Sequence, residues 1–155
     1  MPSGKTHFKF ELATLPLWSL GGAFLGVPWD ELVVFTLSYA GASLLLNPDV
    51  DLPQSDVSQR WGPLRLLWWP YAKIFRHRGI SHSILFGPLT RVVYLGILAA
   101  ALWGALYLTL GVRVGWRLPP PKTVAAFFAG IYLSNFLHVL LDRLASAFRR
   151  PRGGS

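Results

Sequence analysis

The sequence predicts an all-α, polytopic membrane protein: a four-transmembrane-helix bundle with an interfacial helix between spans 2 and 3. Two observations support this fold class. Of the 155 residues, 52% are hydrophobic and only 14% are charged, which is too apolar for a soluble domain of this length. The apolar residues also fall into four stretches, each near the length of about 20 residues that crosses a bilayer. We expect one integral membrane domain over residues 1–148 and a flexible basic tail over residues 149–155.

The four predicted spans differ in length and in how they are bounded. In chain order they cover residues 12–29, 32–46, 84–110 and 124–141. Spans 1 and 2 are separated by little more than "PWDE", which predicts a tight helical hairpin. Pro48 stops span 2, because the residue before a proline is disfavoured in a helix. Span 3 is long enough to tilt, and we expect Arg91 to extend toward the headgroup layer from it.

The basic residues are distributed unevenly between the two ends of the predicted bundle. With four spans, the two termini and the 48–83 connection share one face, which carries eleven of the lysines and arginines. The opposite face carries three. By the positive-inside rule the crowded face is cytoplasmic, so both termini are expected there. This asymmetry accounts for most of the formal charge of +8, and no nucleic-acid partner is therefore expected.

The connection between spans 2 and 3 contains "RWGPLRLLWWPYAKIFR", residues 60–76. It interleaves Trp and Tyr with Arg and Lys, which is typical of a segment in the headgroup layer of a membrane. We expect this segment to lie flat on the membrane surface and to contact lipids.

The histidines and three of the aspartates gather on the predicted cytoplasmic face. The chain has no cysteine, so any metal site must use nitrogen and oxygen ligands. Taken alone, each motif has an ordinary interpretation, such as a polar pair at a helix end, a solvated loop or a lipid-headgroup patch. Together they predict a metal site. The candidate ligands are His7, Asp49, Asp51, His77, His82, His138 and Asp142.

The spacing of these residues fits metal coordination. His138 and Asp142 are four apart on a predicted helix, so both side chains lie on one face. Asp49 and Asp51 lie between two prolines and are expected to be extended, with both carboxylates pointing the same way. Four imidazoles and three carboxylates exceed the needs of one tetrahedral ion, which favours two divalent ions that share an aspartate. Zinc suits these ligands best, with manganese or iron as alternatives.

Four motifs resemble a bacterial family of metal-binding membrane proteins. They are "MPSGKTH", "NPDVDLP", "RWGPLRLLWWPYAKIFRHRGISHS" and the late "HVLLD". That family is similar to the YdjM-like membrane-bound metal-dependent hydrolases and, more distantly, to zinc-dependent phospholipase C. The resemblance implies that Asp51 is either a ligand or the base that orients water. The ligands that it implies are His7, Asp49, His77, His82, His138 and Asp142.

These features lead to a functional hypothesis with one main alternative. The leading hypothesis is a metal-dependent hydrolase of the bacterial cytoplasmic membrane that acts on a phosphoester, such as a lipid headgroup, at the cytoplasmic face. Arg76, Arg78 and Arg143 flank the ligands and could hold phosphate oxygens or contact anionic lipid. The alternative is a non-catalytic membrane protein with a structural or sensing metal site. A metal transporter is less favoured, because the ligands gather at one rim of the bundle.

Overall fold

The computed structural model describes residues 4–75, 79–113, 115 and 117–148, which form helices joined by turns and loops and contain no strand. The all-α prediction is therefore confirmed for these residues. The α-helices are α1 (Gly4–Phe24), α2 (Trp29–Leu45), α3 (Asp56–Arg60), α4 (Trp68–Ile74), α5 (Phe86–Leu110) and α6 (Pro121–Phe148). Short 3-10 segments cover Pro48–Asp51, Gly62–Leu67 and Ile80–His82. The predicted tail, residues 149–155, lies outside the described residues.

Helices α1, α2 and α6 pack against one another, and the most extensive interface joins α2 to α6. Gly130 of α6 makes this close approach possible. A Cβ atom there would lie 2.5 Å from the Phe35 carbonyl oxygen and 2.8 Å from the Tyr39 nitrogen. Tyr39 is fully buried, and its hydroxyl donates a hydrogen bond of 2.9 Å to the carbonyl oxygen of Glu11. These contacts join α6 to α2 and α2 to α1.

Three of the predicted spans correspond to helical stretches that are long and apolar enough to cross a membrane. Among the described residues these are Trp29–Asp51, Phe86–Leu110 and Pro121–Phe148. Helix α1 is not one of them, because Lys5, Lys9 and Glu11 lie in its first half. The first span, and with it the four-span bundle, stays a prediction.

The connection between α2 and α5 contains α3, α4 and three 3-10 segments, so its described residues do not form one continuous helix. Part of it is core: Trp68 and Tyr71 are buried in a cluster with Val50 and Val57. Trp69, by contrast, is 59% exposed. The Trp-rich segment therefore has an inner face that packs on the protein, as well as the outer face that the sequence predicts.

Arg91 of α5 does not extend toward a surface, so the prediction that it snorkels is wrong. Its side chain is 1% exposed. The guanidinium group donates hydrogen bonds to backbone and amide oxygens inside the protein. These replace the hydrogen bonds to water that it would make at the membrane surface.

Candidate metal centre

Histidine and aspartate side chains from four segments meet at one end of the packed helices. His7 comes from α1, Asp49 from the Pro48–Asp51 segment and His82 from the Ile80–His82 segment. His138 and Asp142 come from α6, where they are one turn apart. The structure thus brings together five of the seven candidate ligands. Their role as ligands stays a prediction.

Four of these side chains are linked by short distances between nitrogen and oxygen atoms. His82 Nε2 lies 3.5 Å from Asp49 Oδ1 and 4.0 Å from Asp142 Oδ2. His138 Nε2 lies 3.7 Å from both Asp49 Oδ2 and Asp142 Oδ2. In a tetrahedral zinc site with bonds of roughly 2.0–2.2 Å, neighbouring ligand atoms are about 3.3–3.5 Å apart. The observed separations are close to that value, so these residues fit a divalent ion with small side-chain adjustments.

The imidazole of His138 gives independent support for this fit. Its Nε2 atom is buried and makes no hydrogen bond within the described parts of the chain. Buried polar atoms are nearly always hydrogen-bonded in folded proteins, and a cation is one partner that satisfies such an atom. The neighbouring carboxylates of Asp49 and Asp142 supply the negative charge that a cation requires.

His7 lies on the other side of Asp142. Its Nε2 is 3.1 Å from Asp142 Oδ1, and its ring centroid is 4.2 Å from that of His138. Asp142 therefore directs one oxygen to His7 and the other to His82 and His138, which is the arrangement of a bridging carboxylate.

The described residues offer enough close ligand atoms for one ion and not for two. His7, His138 and Asp142 form a second group of close ligand atoms, but one ring nitrogen can bind only one ion. If His138 Nε2 binds with Asp49 and His82, the group around His7 has two ligands left. The second ion stays a prediction, because the remaining histidine, His77, lies outside the described residues.

Glu11 is part of this site and was missed in the sequence. It is 1% exposed, and its Oε1 lies 3.1 Å from Nδ1 of His138. The Ser134 hydroxyl donates a hydrogen bond of 3.3 Å to the other carboxylate oxygen. A carboxylate that accepts from the second nitrogen of a metal-binding imidazole is a common arrangement, because it fixes the tautomer and the ring orientation.

Asn47 competes for the same nitrogen, with its Nδ2 2.8 Å from His138 Nδ1. One ring nitrogen cannot both donate to Glu11 and accept from Asn47, so the two contacts define two tautomers. Donation to Glu11 leaves the Nε2 lone pair facing Asp49 and Asp142, and this is the tautomer that can bind a cation. Asn47 also accepts from the Asp49 backbone nitrogen at 3.0 Å, which holds the Asp49 segment beside the imidazole.

The sequence did contain a signal for Glu11. It lies four residues after His7 in a helix, and residues at this spacing share a helix face. A carboxylate at the edge of an apolar stretch is also costly to bury unless it has a partner.

The prediction that Asp49 and Asp51 point the same way is wrong. Residues 48–51 form a 3-10 turn and not an extended segment, and at three residues per turn, positions two apart point about 120° from each other. Asp51 belongs to neither group of ligand atoms among the described residues. It is 5% exposed and borders a separate cavity of about 450 Å³ together with Arg65 and Trp68.

One of the three predicted phosphate-binding arginines lies among the described residues. Arg143 follows Asp142 on α6 and is exposed. Arg76 and Arg78, like His77, lie outside the described residues.

These observations define a class: a helical protein with long, exposed apolar helices and a histidine and aspartate cluster that can hold a divalent ion. The chain belongs to the family described as "Uncharacterized metal-binding protein (DUF2227)", whose model matches residues 2–152. The metal-binding part of the prediction is thus supported both by the cluster and by the family.

Curated relatives give further likenesses. The chain is 42% identical over 69 residues to an uncharacterized protein of Aquifex aeolicus (strain VF5), covering 44% of this chain and 49% of that protein. It is 34% identical over 102 residues to the inner membrane protein YdjM of Escherichia coli (strain K12), covering 66% of this chain and 41% of YdjM. YdjM of Shigella flexneri gives the same values.

The chain therefore spans less than half the length of these relatives. No solved structure matches the chain. The inner membrane relative and the three apolar helices support a membrane association. The resemblance to hydrolases and to phospholipase C, and the choice of zinc, stay predictions.

Proposed function

We propose that this chain is an integral membrane hydrolase that binds a divalent ion through Asp49, His82, His138 and Asp142 and acts on a phosphoester. The observation that carries the proposal is the cluster itself. Its nitrogen and oxygen atoms lie 3.5–4.0 Å apart although they come from three separate segments. Zinc is the expected metal, with manganese or iron as alternatives.

The membrane location is supported by the surface of the apolar helices. Large aliphatic side chains such as Leu37 and Leu108 are 66% and 82% exposed, and exposed apolar surface on this scale marks a contact with lipid or with protein. We infer a four-span bundle in the bacterial cytoplasmic membrane, with α1 as the first span. The basic residues favour a cytoplasmic location for both termini and for the metal site.

The metal site is accessible from one side. The side chain of Asp49 is 24% exposed and those of His82 and Asp142 are 14% exposed, whereas that of His138 is 1% exposed. A substrate can thus approach past Asp49. A divalent ion held here would polarise a phosphoryl oxygen and lower the pKa of a bound water to about 7.

The protein side chains have separable roles in this proposal. Asp49 is the most exposed carboxylate of the cluster and can accept a proton from a water that arrives from the solvent side. Glu11 holds His138 in the tautomer that directs Nε2 toward the carboxylates. Arg143 is exposed beside Asp142 and can pair with a phosphate oxygen. Asp51, the base implied by the resemblance, is on another face of its turn, and we assign it no part in the reaction.

A structural or sensing metal site is the second candidate, and one observation favours it. Asp49, His82, His138 and Asp142 already supply four ligand atoms, and a tetrahedral ion with four protein ligands has no open position for water. Such an ion would join three segments of the chain and stabilise the fold without catalysis.

Turnover by the metal-loaded protein distinguishes the two candidates. The full chain, purified in detergent, is loaded with zinc, manganese or iron and assayed on a p-nitrophenyl phosphodiester, with His138→Ala as the inactive variant. Glu31→Gln, at the far end of α2, is a control that leaves the site intact. Metal-dependent turnover that His138→Ala abolishes supports the hydrolase. Bound metal with no turnover, together with a higher melting temperature than the metal-free protein, supports the structural site.

A further inference from the structure

Arg91 is a buried cation in one of the apolar helices. Its side chain is 1% exposed within α5, which is long and apolar enough to span a membrane. An arginine in such a helix is costly, and where one occurs it usually has a function and a set of specific partners. The partners of Arg91 indicate what that function is.

The guanidinium group contacts three segments that carry candidate ligands. Its Nη1 donates to the carbonyl oxygen of Leu46, three residues before Asp49. Its Nη2 donates to the carbonyl oxygen of Ser81, directly before His82, at 2.8 Å. The same nitrogen donates to Asn135 Oδ1 at 2.9 Å, and Asn135 lies about one helical turn before His138.

We propose that Arg91 is a positioning residue of the metal centre: its guanidinium holds the segments of Asp49, His82 and His138 at the separations that a divalent ion requires. This proposal rests on the proposed metal site. Arg91 itself is not a ligand, since a guanidinium group is always protonated and offers no acceptor. It acts through the backbone and through Asn135.

Further hydrogen bonds, which do not involve Arg91, join the same segments. The Ser81 hydroxyl donates to the carbonyl oxygen of Pro48 at 3.3 Å. The amide nitrogen of Asn135 lies 3.4 Å from the carbonyl oxygens of both Ser83 and Ile84. The loop before α5 is therefore fixed to the turn of Asp49 on one side and to α6 on the other. Arg91 lies where these connections meet.

The charge of Arg91 has a role of its own. The guanidinium interacts electrostatically with Tyr71 and, to a smaller extent, with Asp51 and Asp49. Before a cation binds, the positive charge of Arg91 offsets part of the negative charge that Asp49 brings into a poorly solvated region.

The packing around Arg91 provides a conservative way to disturb it. A Cβ atom on Gly87 would lie 2.5 Å from the Ser81 carbonyl oxygen and 2.8 Å from Arg91 Nη2. A Cβ atom on Gly96, further along the same helix, would meet nothing within 4 Å. Gly87→Ala and Gly96→Ala therefore make the same chemical change, but only the first displaces the contact between Arg91 and the His82 segment.

The experiment is a titration of the full, metal-free chain in detergent with Co²⁺, followed by visible absorption and by competition with Zn²⁺. The variants are Arg91→Met, Arg91→Lys, Gly87→Ala and the control Gly96→Ala. We expect Arg91→Met and Gly87→Ala to weaken metal affinity about 10- to 100-fold, the range found for residues that support metal ligands. Arg91→Lys keeps the charge but makes fewer hydrogen bonds, so it should recover part of the loss.

The cobalt spectrum separates positioning from a general loss of stability. A displaced ligand changes the intensity and position of the d–d bands, whereas a merely less stable protein keeps the parent spectrum once it is loaded. If Arg91→Met does not fold, Gly87→Ala and Arg91→Lys still decide the question. Parent affinity and parent spectrum in Gly87→Ala would overturn the positioning role alone. A parent protein that binds no metal would overturn the metal site and, with it, this inference.

Discussion

His138 uses both of its ring nitrogens in the candidate site. Nε2 faces the carboxylates of Asp49 and Asp142, while Nδ1 faces Glu11 and Asn47. A histidine in this position has its orientation and its tautomer set by the same neighbours. Metal affinity should then depend on residues that never touch the ion.

Glu11 sets the tautomer of His138 in the proposed site. We expect Glu11→Gln to weaken metal affinity about 10- to 100-fold, because it removes the charge-assisted hydrogen bond that keeps the proton on His138 Nδ1. Affinity is measured by titration of the metal-free protein with Zn²⁺ against a chelating indicator. Glu31→Gln is the matched control and should bind as the parent does. Equal affinities in Glu11→Gln and the parent would refute the role of Glu11.

The two aspartates of "NPDVDLP" give a second prediction. Asp49→Asn should lose bound metal, because Asp49 lies within 3.7 Å of His82 Nε2 and His138 Nε2. Asp51→Asn should retain it, because Asp51 belongs to neither ligand group. Metal content per chain after purification tests both variants together. Loss of metal in Asp51→Asn alone would show that the two carboxylates have been assigned the wrong way round.

At the scale of elements, the interface between α2 and α6 carries the site. Gly130 lets α6 approach the backbone of α2, and α6 in turn brings His138 beside Asn47, just after the end of α2. The site is thus built on two packed helices, and shorter segments complete it.

Gly130→Ala should therefore destabilise the protein by about 1–3 kcal/mol, the usual range for overpacking a tight interface. Its added methyl would press on backbone atoms of α2, which cannot move aside as a flexible side chain could. Gly41→Ala is the control, because a Cβ atom on Gly41 meets nothing within 4 Å. The free energy of unfolding in detergent is the measurement. A Gly130→Ala variant as stable as Gly41→Ala would contradict this packing.

The long helices could be predicted because apolar stretches and prolines mark them directly, and topology then placed Asp49, His82, His138 and Asp142 on one face. The conformation of the short segments could not be predicted. Whether residues 48–51 are extended or form a 3-10 turn depends on the cap made by Asn47, which no periodicity encodes. The error over Asp51 follows from that turn.

Arg91 and Glu11 escaped prediction for a related reason. A charged residue in an apolar helix can reach the surface or be satisfied inside, and the helix sequence alone does not distinguish the two. The deciding partners of Arg91 are the carbonyl oxygens of Leu46 and Ser81, which are remote in sequence. Because every amino acid has a backbone carbonyl oxygen, the residue types do not show which of them accept these hydrogen bonds.

At the scale of the whole molecule, the proposed topology can be tested by labelling, since the chain contains no cysteine. Leu118→Cys, in the loop before α6, should react with a membrane-impermeant maleimide added to intact cells. Ser146→Cys, near the end of α6, should react only after the membrane is opened. Both positions are exposed, so a difference in labelling reports the side of the membrane. Labelling of Ser146→Cys in intact cells would contradict a cytoplasmic metal site.

In the proposed metal centre, side chains from separate segments hold a divalent ion at one end of the helices. Its most direct test is elemental analysis of the full chain purified in detergent, beside Asp49→Ala and His138→Ala. We expect at least one divalent ion per chain in the parent and loss of that ion in both variants. A parent that purifies without metal and binds none on titration would contradict the claim, as would variants that keep their metal.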